Sequence, residues 1–309
     1  MKVPIMNQRT LSHILAAALI LLTIPAHAAL RVFACEPEWG ALARELGGDL
    51  LDVTVATSAL QDPHQIQAKP SLVARTRNAD LVVCTGAELE IGWLPVLLQQ
   101  SGNAKVQPGQ PGNFAAADFV RKLDVPNQLD RSQGDVHAAG NPHIQTDPRR
   151  IYQVATALSA RLQQLDAANA PAYAKRLKDF SQRWQQAISR WSLQAAPLKG
   201  VVVVSQHKSF VYMYDWLGLE EAAVLEPKPG VEATASHLQA VLTSIKNSSP
   251  RMTLYAAYQD PKAAEWLNRN AGVPAVKVPF TVGGTDGAKD LFGLFDDTLS
   301  RLLAALAKP

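Results

Sequence analysis

The chain has 309 residues, 47% of them hydrophobic, with 30 Lys and Arg against 27 Asp and Glu and a formal net charge of +3. That apolar share can bury substantial cores, and the length suits two domains better than one. Lys2 and Arg9 belong to a leader, and without them 28 basic residues face 27 acidic ones, a net +1 that gives no electrostatic case for binding nucleic acid or a membrane.

Residues 1–28 read as a cleavable signal peptide. Lys2 and Arg9 give the positive start, Ile14 to Ile24 form a short run without charge, and Ala26-His27-Ala28 fits the small-x-small cleavage pattern. The run is too short for a membrane span, and no Cys follows the cut to carry a lipid anchor. The mature chain is therefore expected to start near Ala29 as a soluble protein of a bacterial periplasm. Cys35 and Cys84 each close a short apolar run, LRVFAC and ADLVVC. In an oxidising compartment they fit either a disulfide between neighbouring strand ends or two buried thiols.

In chain order, LRVFAC predicts a strand, PEWGALARELGG a helix closed by glycines, and LLDVTVAT a second strand. The loop SALQDPHQIQAKP follows, then a helix from Pro70 to Asn78, the strand ADLVVCTG and the helix ELEIGWLPVLLQQSG. Residues 102–140 have loop composition, rich in Gly, Pro, Asn and Gln. DPRRIYQVATALSARLQQLD predicts a helix, and a second, free of internal Gly and Pro, runs from about Pro171 to Ala196. Its Leu177, Phe180, Trp184, Ile188 and Trp191 recur at three- and four-residue spacing. At roughly 39 Å such a helix is longer than one small domain needs. Strand and helix then alternate again through GVVVVSQH, KSFVYMYDWLG, EAAVLEP, ASHLQAVLTSIKNS, RMTLYAAY, DPKAAEWLNRNAG and PAVKVP, and AKDLFGLFDDTLSRLLAAL closes the chain as a helix. The expected fold is α/β: two parallel-sheet lobes, 29–166 and 198–309, joined by one long rigid helix over 167–197.

Cleavage of the leader leaves five histidines. His64 follows the second strand in QDPHQ, His143 stands in the turn-rich GNPHIQTDP, and His207 ends a strand in VVVVSQH. In open α/β sheets ligands bind beyond the carboxyl ends of the strands, so these three predict a site in the cleft between the lobes. Imidazole is a borderline ligand that suits zinc. His137 is a weaker alternative ligand, and His237 reads as a solvated or half-buried helical side chain.

The pattern resembles the periplasmic metal-binding proteins of ABC uptake systems, the zinc-specific group above all. DPHQIQAKPSLVARTRNADLVVCTGAELE is similar to the first-ligand segment of that family and GNPHIQTDP to the second. SQHKSFVYMYDWLGL is similar to the third, and PGVEATASHLQAVLTSIK to the segment that opens P-G-x-E. The resemblance spans essentially the whole mature chain and implies two lobes bridged by a rigid helix. It carries the ligand role to His64, His143 and His207, and the third position, Glu in manganese-type relatives, favours zinc here. It places the fourth ligand at Asp286 in TVGGTDGAKD or at a water. Asp286 also reads as an N-cap of the last helix, and Glu36 and Glu38 read as outer carboxylates that orient a ring. Two departures stand out: the 102–136 stretch holds no histidine and few acids, and Gln145 stands where an aromatic is frequent.

The implied function is capture of Zn²⁺ as a transported ligand by a monomeric, non-enzymatic binding protein that delivers it to an inner-membrane ABC permease, with a periplasmic zinc chaperone as a further partner. The competing readings are a zinc hydrolase with an open three-His site and a manganese- or iron-binding member or adhesin of the same fold. No H-E-x-x-H, nucleophile elbow or phosphate loop supports the enzyme.

Overall fold

The computed structural model describes residues 28–126, 134 and 137–307. Apart from Ala28, the expected leader lies outside them. The first lobe is built from β1 (Leu30–Ala34), α1 (Pro37–Gly47), β2 (Leu51–Val55), α2 (Pro70–Asn78), β3 (Leu81–Cys84), α3 (Leu94–Ser101) and β4 (Asn113–Ala115). All pairings are parallel and the order is β2-β1-β3-β4. Every residue of β3 is buried, as expected for a parallel strand covered on both faces.

Two helices follow, α4 (Pro148–Leu165) and α5 (Ala170–Gln194). Asp147 caps α4 by accepting from the Arg149 amide at 2.8 Å, and the 25 residues of α5 span about 38 Å. The second lobe repeats the plan with β5 (Val202–Ser205), α6 (Val211–Leu217), β6 (Glu220–Val224), α7 (Ala235–Ser244), β7 (Met252–Ala256), α8 (Lys262–Ala271), β8 (Ala275–Val278) and α9 (Leu291–Leu306). Its order, β6-β5-β7-β8, is the same topology as the first. In both sheets the strand order reverses beside the first strand of the lobe, which opens a crevice at the carboxyl edge.

The long helix is the spine of the molecule. Tyr173, Phe180, Trp184 and Trp191 are fully buried along one face. Trp184 packs edge-on against Trp191 and Phe292, with ring centroids 5.2 and 4.8 Å away. Their indole N–H groups donate to Pro148 O at 2.8 Å and Asp296 Oδ1 at 2.6 Å, so these large rings carry no unpaired polar atom into the core. Arg176 and Arg183 tie the helix to Gly47 O and Glu45 of the first lobe, and Arg190 ties it to Asp296 of the second. One hydrophobic cluster runs from Val32 and Leu81 through the spine to Leu254 and Val276. The lobes therefore share a core, which limits hinge motion between them.

Three local expectations need correction. ELEIGWLPVLLQQSG is helical only from Leu94. Ala87 and Glu88 take positive φ values of 50° and 67°, and the Glu90 carboxylate accepts from the Thr85 and Gly86 amides, so a turn replaces the first helical turns. Within the expected loop, residues 113–115 add the short edge strand β4. The last helix is capped by Asp290, which accepts from the Gly293 amide at 2.7 Å, not by Asp286.

Candidate metal centre

His64 stands in a turn beyond β2, where its amide donates to Asp62 Oδ1 at 3.0 Å. The Trp93 indole holds the turn by donating to Pro63 O at 2.9 Å. His143 lies in the segment leading into α4, fully buried, with its amide bonded to Asn141 Oδ1 at 3.0 Å. His207 is two residues past β5, and the neighbouring Gln206 amide still donates to Leu254 O of β7 at 2.8 Å. One strand end and two loop segments thus aim three rings into the cleft.

The structure brings His64, His143 and His207 together. One ring nitrogen of each lies within 4.8 Å of the others. Ring centroids are 5.3 Å apart for His64 and His143, 5.8 Å for His64 and His207, and 5.6 Å for His143 and His207. Imidazoles on one tetrahedral zinc, with Zn–N bonds of about 2.0–2.1 Å, have centroids roughly 5 Å apart, so a small inward shift of the rings reaches that geometry.

The hydrogen bonds around the rings fix their tautomers. His64 Nδ1 donates to Asp62 Oδ1 at 2.7 Å, and His207 Nδ1 donates to Glu226 Oε2 at 2.7 Å. Glu226 is itself held by the Gly230 amide at 2.8 Å. A carboxylate accepts, so each ring keeps its hydrogen on Nδ1 and turns the Nε2 lone pair inward. His64 Nε2 and both nitrogens of His143 are buried without a hydrogen-bond partner, a state that costs free energy unless something ligates them. Burial, and then the proximity of His64 and His207, hold the His143 pKa well below its usual value. It is a neutral ring at physiological pH, the form that binds metal. A cavity of about 600 Å³ reaches His64 and His207 beside Asp62, Glu226 and Tyr258.

Other sequence-predicted residues fall elsewhere. Asp286 is exposed in the loop between β8 and α9 and is not part of the histidine group. Glu36 and Glu38 are buried but do not orient the rings; Glu36 accepts from the Thr85 hydroxyl at 3.2 Å and Glu38 from the Thr281 hydroxyl at 2.5 Å. Asp62 and Glu226 perform that task instead. The Asp-x-His spacing was a readable signal for Asp62, whereas Glu226 becomes visible only once β6 is known to lie beside β5. His237 lies on α7 and its Nε2 bonds to Val224 O at 3.1 Å. The packing partner left open by Gln145 is Phe280, whose ring meets His143 edge-on at 5.3 Å. Phe280 has a φ of 67°, and left-handed backbone at a bulky residue is characteristic of ligand sites. His137 stacks on His64 with centroids 5.3 Å apart. Cys35 and Cys84, at the ends of β1 and β3, form a disulfide with Cα atoms 4.8 Å apart.

The ZnuA model, described as zinc-uptake complex component A, periplasmic, matches residues 32–305. The chain belongs to the ZnuA family. Its relatives include the manganese ABC transporter substrate-binding lipoprotein PsaA of Streptococcus pneumoniae, 22% identical over 275 residues and 86% of each chain. The iron ABC transporter substrate-binding lipoprotein MtsA of Streptococcus pyogenes is 23% identical over 78% of this chain and 76% of its own. Among solved structures, ZnuA superposes with a TM-score of 0.75 at 20% identity, covering 91% of this chain and all of that one. The laminin-binding adhesin Lmb of Streptococcus agalactiae superposes with a TM-score of 0.73 at 21% identity over 90% of this chain and 100% of that one. These likenesses show the two-lobed fold. Membership makes the chain a metal-binding substrate-binding protein of an ABC transporter, a class that works with a membrane permease and its ATPase and is not enzymatic.

Proposed function

We propose that the cargo is Zn²⁺, held by His64, His143 and His207 and handed to the permease in the periplasm. The observation that carries this reading is the convergence of three imidazoles, two of them oriented by carboxylates that stay out of the inner shell. Neutral nitrogen donors suit zinc, whereas carboxylate and water oxygens suit manganese. Relatives named for manganese and iron make the competing cation the question that matters.

Three further points support the reading. The family description names zinc uptake and the periplasm, the disulfide fits an oxidising compartment, and one chain supplies all three rings, so a monomer suffices. The two carboxylates beside the rings, Asp62 and Glu226, both accept from ring N–H groups, which suits orienting ligands rather than acting as a general base.

The test is zinc affinity, with manganese in competition, for the mature protein beside His64→Ala, His143→Ala and His207→Ala. One zinc per chain, weakened by each substitution and retained against excess manganese, is expected. Unchanged zinc binding in all three variants would overturn the site, and displacement by manganese would overturn the choice of metal.

A further inference from the structure

We propose that His137 is the fourth ligand, closing an inner shell made only of imidazoles. The proposal rests on the three-histidine reading above and deepens it, since the fourth donor decides which cation the site prefers.

The geometry points to His137 on three counts. Its ring centroid lies 5.3 Å from that of His64 and 6.4 Å from that of His143. The first distance falls among the 5.3–5.8 Å separations of the three central rings; the second is longer, and His137 joins the three rings whose nitrogens lie within 4.8 Å of one another by an inward swing of its ring. Its Nε2 is buried and without a hydrogen-bond partner, the same condition as His64 Nε2 and His143. Three rings in that condition beside His207 leave several lone pairs unsatisfied at once, and a single cation satisfies them together.

The local backbone holds His137 over the cleft. Glu88, in its left-handed conformation, accepts from the Ala138 amide at 2.6 Å. The Gly140 amide donates back to His137 O at 3.1 Å. Gly140 itself has φ +103°, and a Cβ there would approach Leu123 O to 2.8 Å, so the turn requires glycine. The chain is then pinned to the second lobe, where Asn141 Nδ2 donates to Lys208 O at 2.8 Å and the Tyr212 hydroxyl donates to Asn141 O at 2.6 Å. The residues that follow His137 are thus fixed to both lobes.

Charge also favours a fourth neutral donor. Four imidazoles leave the ion's two positive charges uncompensated in the inner shell. Asp62 and Glu226, each one hydrogen bond behind a ring, supply two negative charges at that remove. An inner carboxylate is not needed for balance, and Asp286 stays exposed. A shell of nitrogens disfavours manganese more strongly than a shell that includes a carboxylate.

The test uses the full mature protein, titrated as apoprotein with Co²⁺ and then Zn²⁺, for wild type, His137→Ala, Asp286→Ala and His143→Ala. His137→Ala is expected to lose at least about tenfold in zinc affinity, and its cobalt form to lose tetrahedral visible absorption as water enters the shell. Asp286→Ala is expected to match wild type in both. Zinc-edge X-ray absorption of the wild-type protein, which needs no variant to fold, is expected to count four imidazoles. A count of three with one oxygen, or wild-type affinity and cobalt spectrum in His137→Ala, overturns the proposal, the more so if Asp286→Ala is the weakened variant. If His143→Ala also binds as wild type does, the three-histidine reading fails instead.

Discussion

Glu226 Oε2 sits 2.7 Å from His207 Nδ1 and accepts the Gly230 amide at 2.8 Å as well. The carboxylate thus anchors the His207 ring at the β5 edge to the P-G-x-E turn that follows β6. Replacing it leaves the ring free to rotate and to place its hydrogen on the inward nitrogen. Glu226→Ala is expected to weaken zinc binding by about 10–100-fold, with an unchanged circular dichroism spectrum. Asp62→Ala should behave alike at His64. Equilibrium competition against a chelator of known affinity measures both.

The floor of the first lobe holds three buried carboxyls, Glu36, Glu38 and Glu90. Burial, and then mutual repulsion, raise Glu36 well above the ordinary range, and burial pushes Glu38 and Glu90 up to about 7. Acids raised in the folded state bind more protons there than in the unfolded chain, so stability falls as pH rises. For Glu38 and Glu90 the loss is expected between the ordinary value of 4.5 and the folded value of about 7, and their contribution is flat above that. Glu38→Gln keeps an acceptor for the Thr281 hydroxyl and removes one titration. Its melting temperature should exceed that of wild type above neutrality and approach it in acid. A parallel pH profile for the two proteins would contradict this account.

Trp184 lies at the middle of the spine, fully buried between Phe180, Trp191 and Phe292. Trp184→Ala removes that packing and leaves Pro148 O without its donor. A cost of about 3–5 kcal/mol is expected. Because one cluster joins the lobes, unfolding in denaturant should remain a single transition for wild type and variant, followed by fluorescence and circular dichroism together. Two separated transitions would show that the lobes fold independently.

The Cys35–Cys84 bridge closes a loop across a sequence separation of 49 residues. By chain entropy alone such a loop contributes on the order of 4 kcal/mol. The double substitution to serine should lower stability by a sizeable part of that while zinc affinity stays within a few-fold of wild type, since neither sulfur reaches the histidine group. Chemical denaturation and metal titration of the same preparation separate the two effects.

Much of this was legible from residue order. Strand-helix alternation and a long run without Gly or Pro gave the two lobes and the spine, because buried parallel strands and a packed helix have strong periodicity. His64, His143 and His207 could be placed because strand ends and turns mark the carboxyl edge of a sheet. What was not legible depended on contacts between distant elements. Glu226 reaches His207 only through the pairing of β5 with β6, and Phe280 reaches His143 across the cleft. The turn at Ala87 and Glu88 was misread as helix because an apolar rhythm persists through it while Glu90 captures the local amides. β4 has only three residues, too few to carry a pattern.

The central claim is that one zinc ion sits among the cleft histidines, and anomalous diffraction from crystals of the zinc-loaded protein addresses it most directly. The account predicts one strong zinc peak per chain, about 2.0–2.1 Å from a ring nitrogen of each of His64, His143 and His207. A zinc peak elsewhere with the three rings unliganded, or no peak in crystals of protein saturated with zinc, would contradict it.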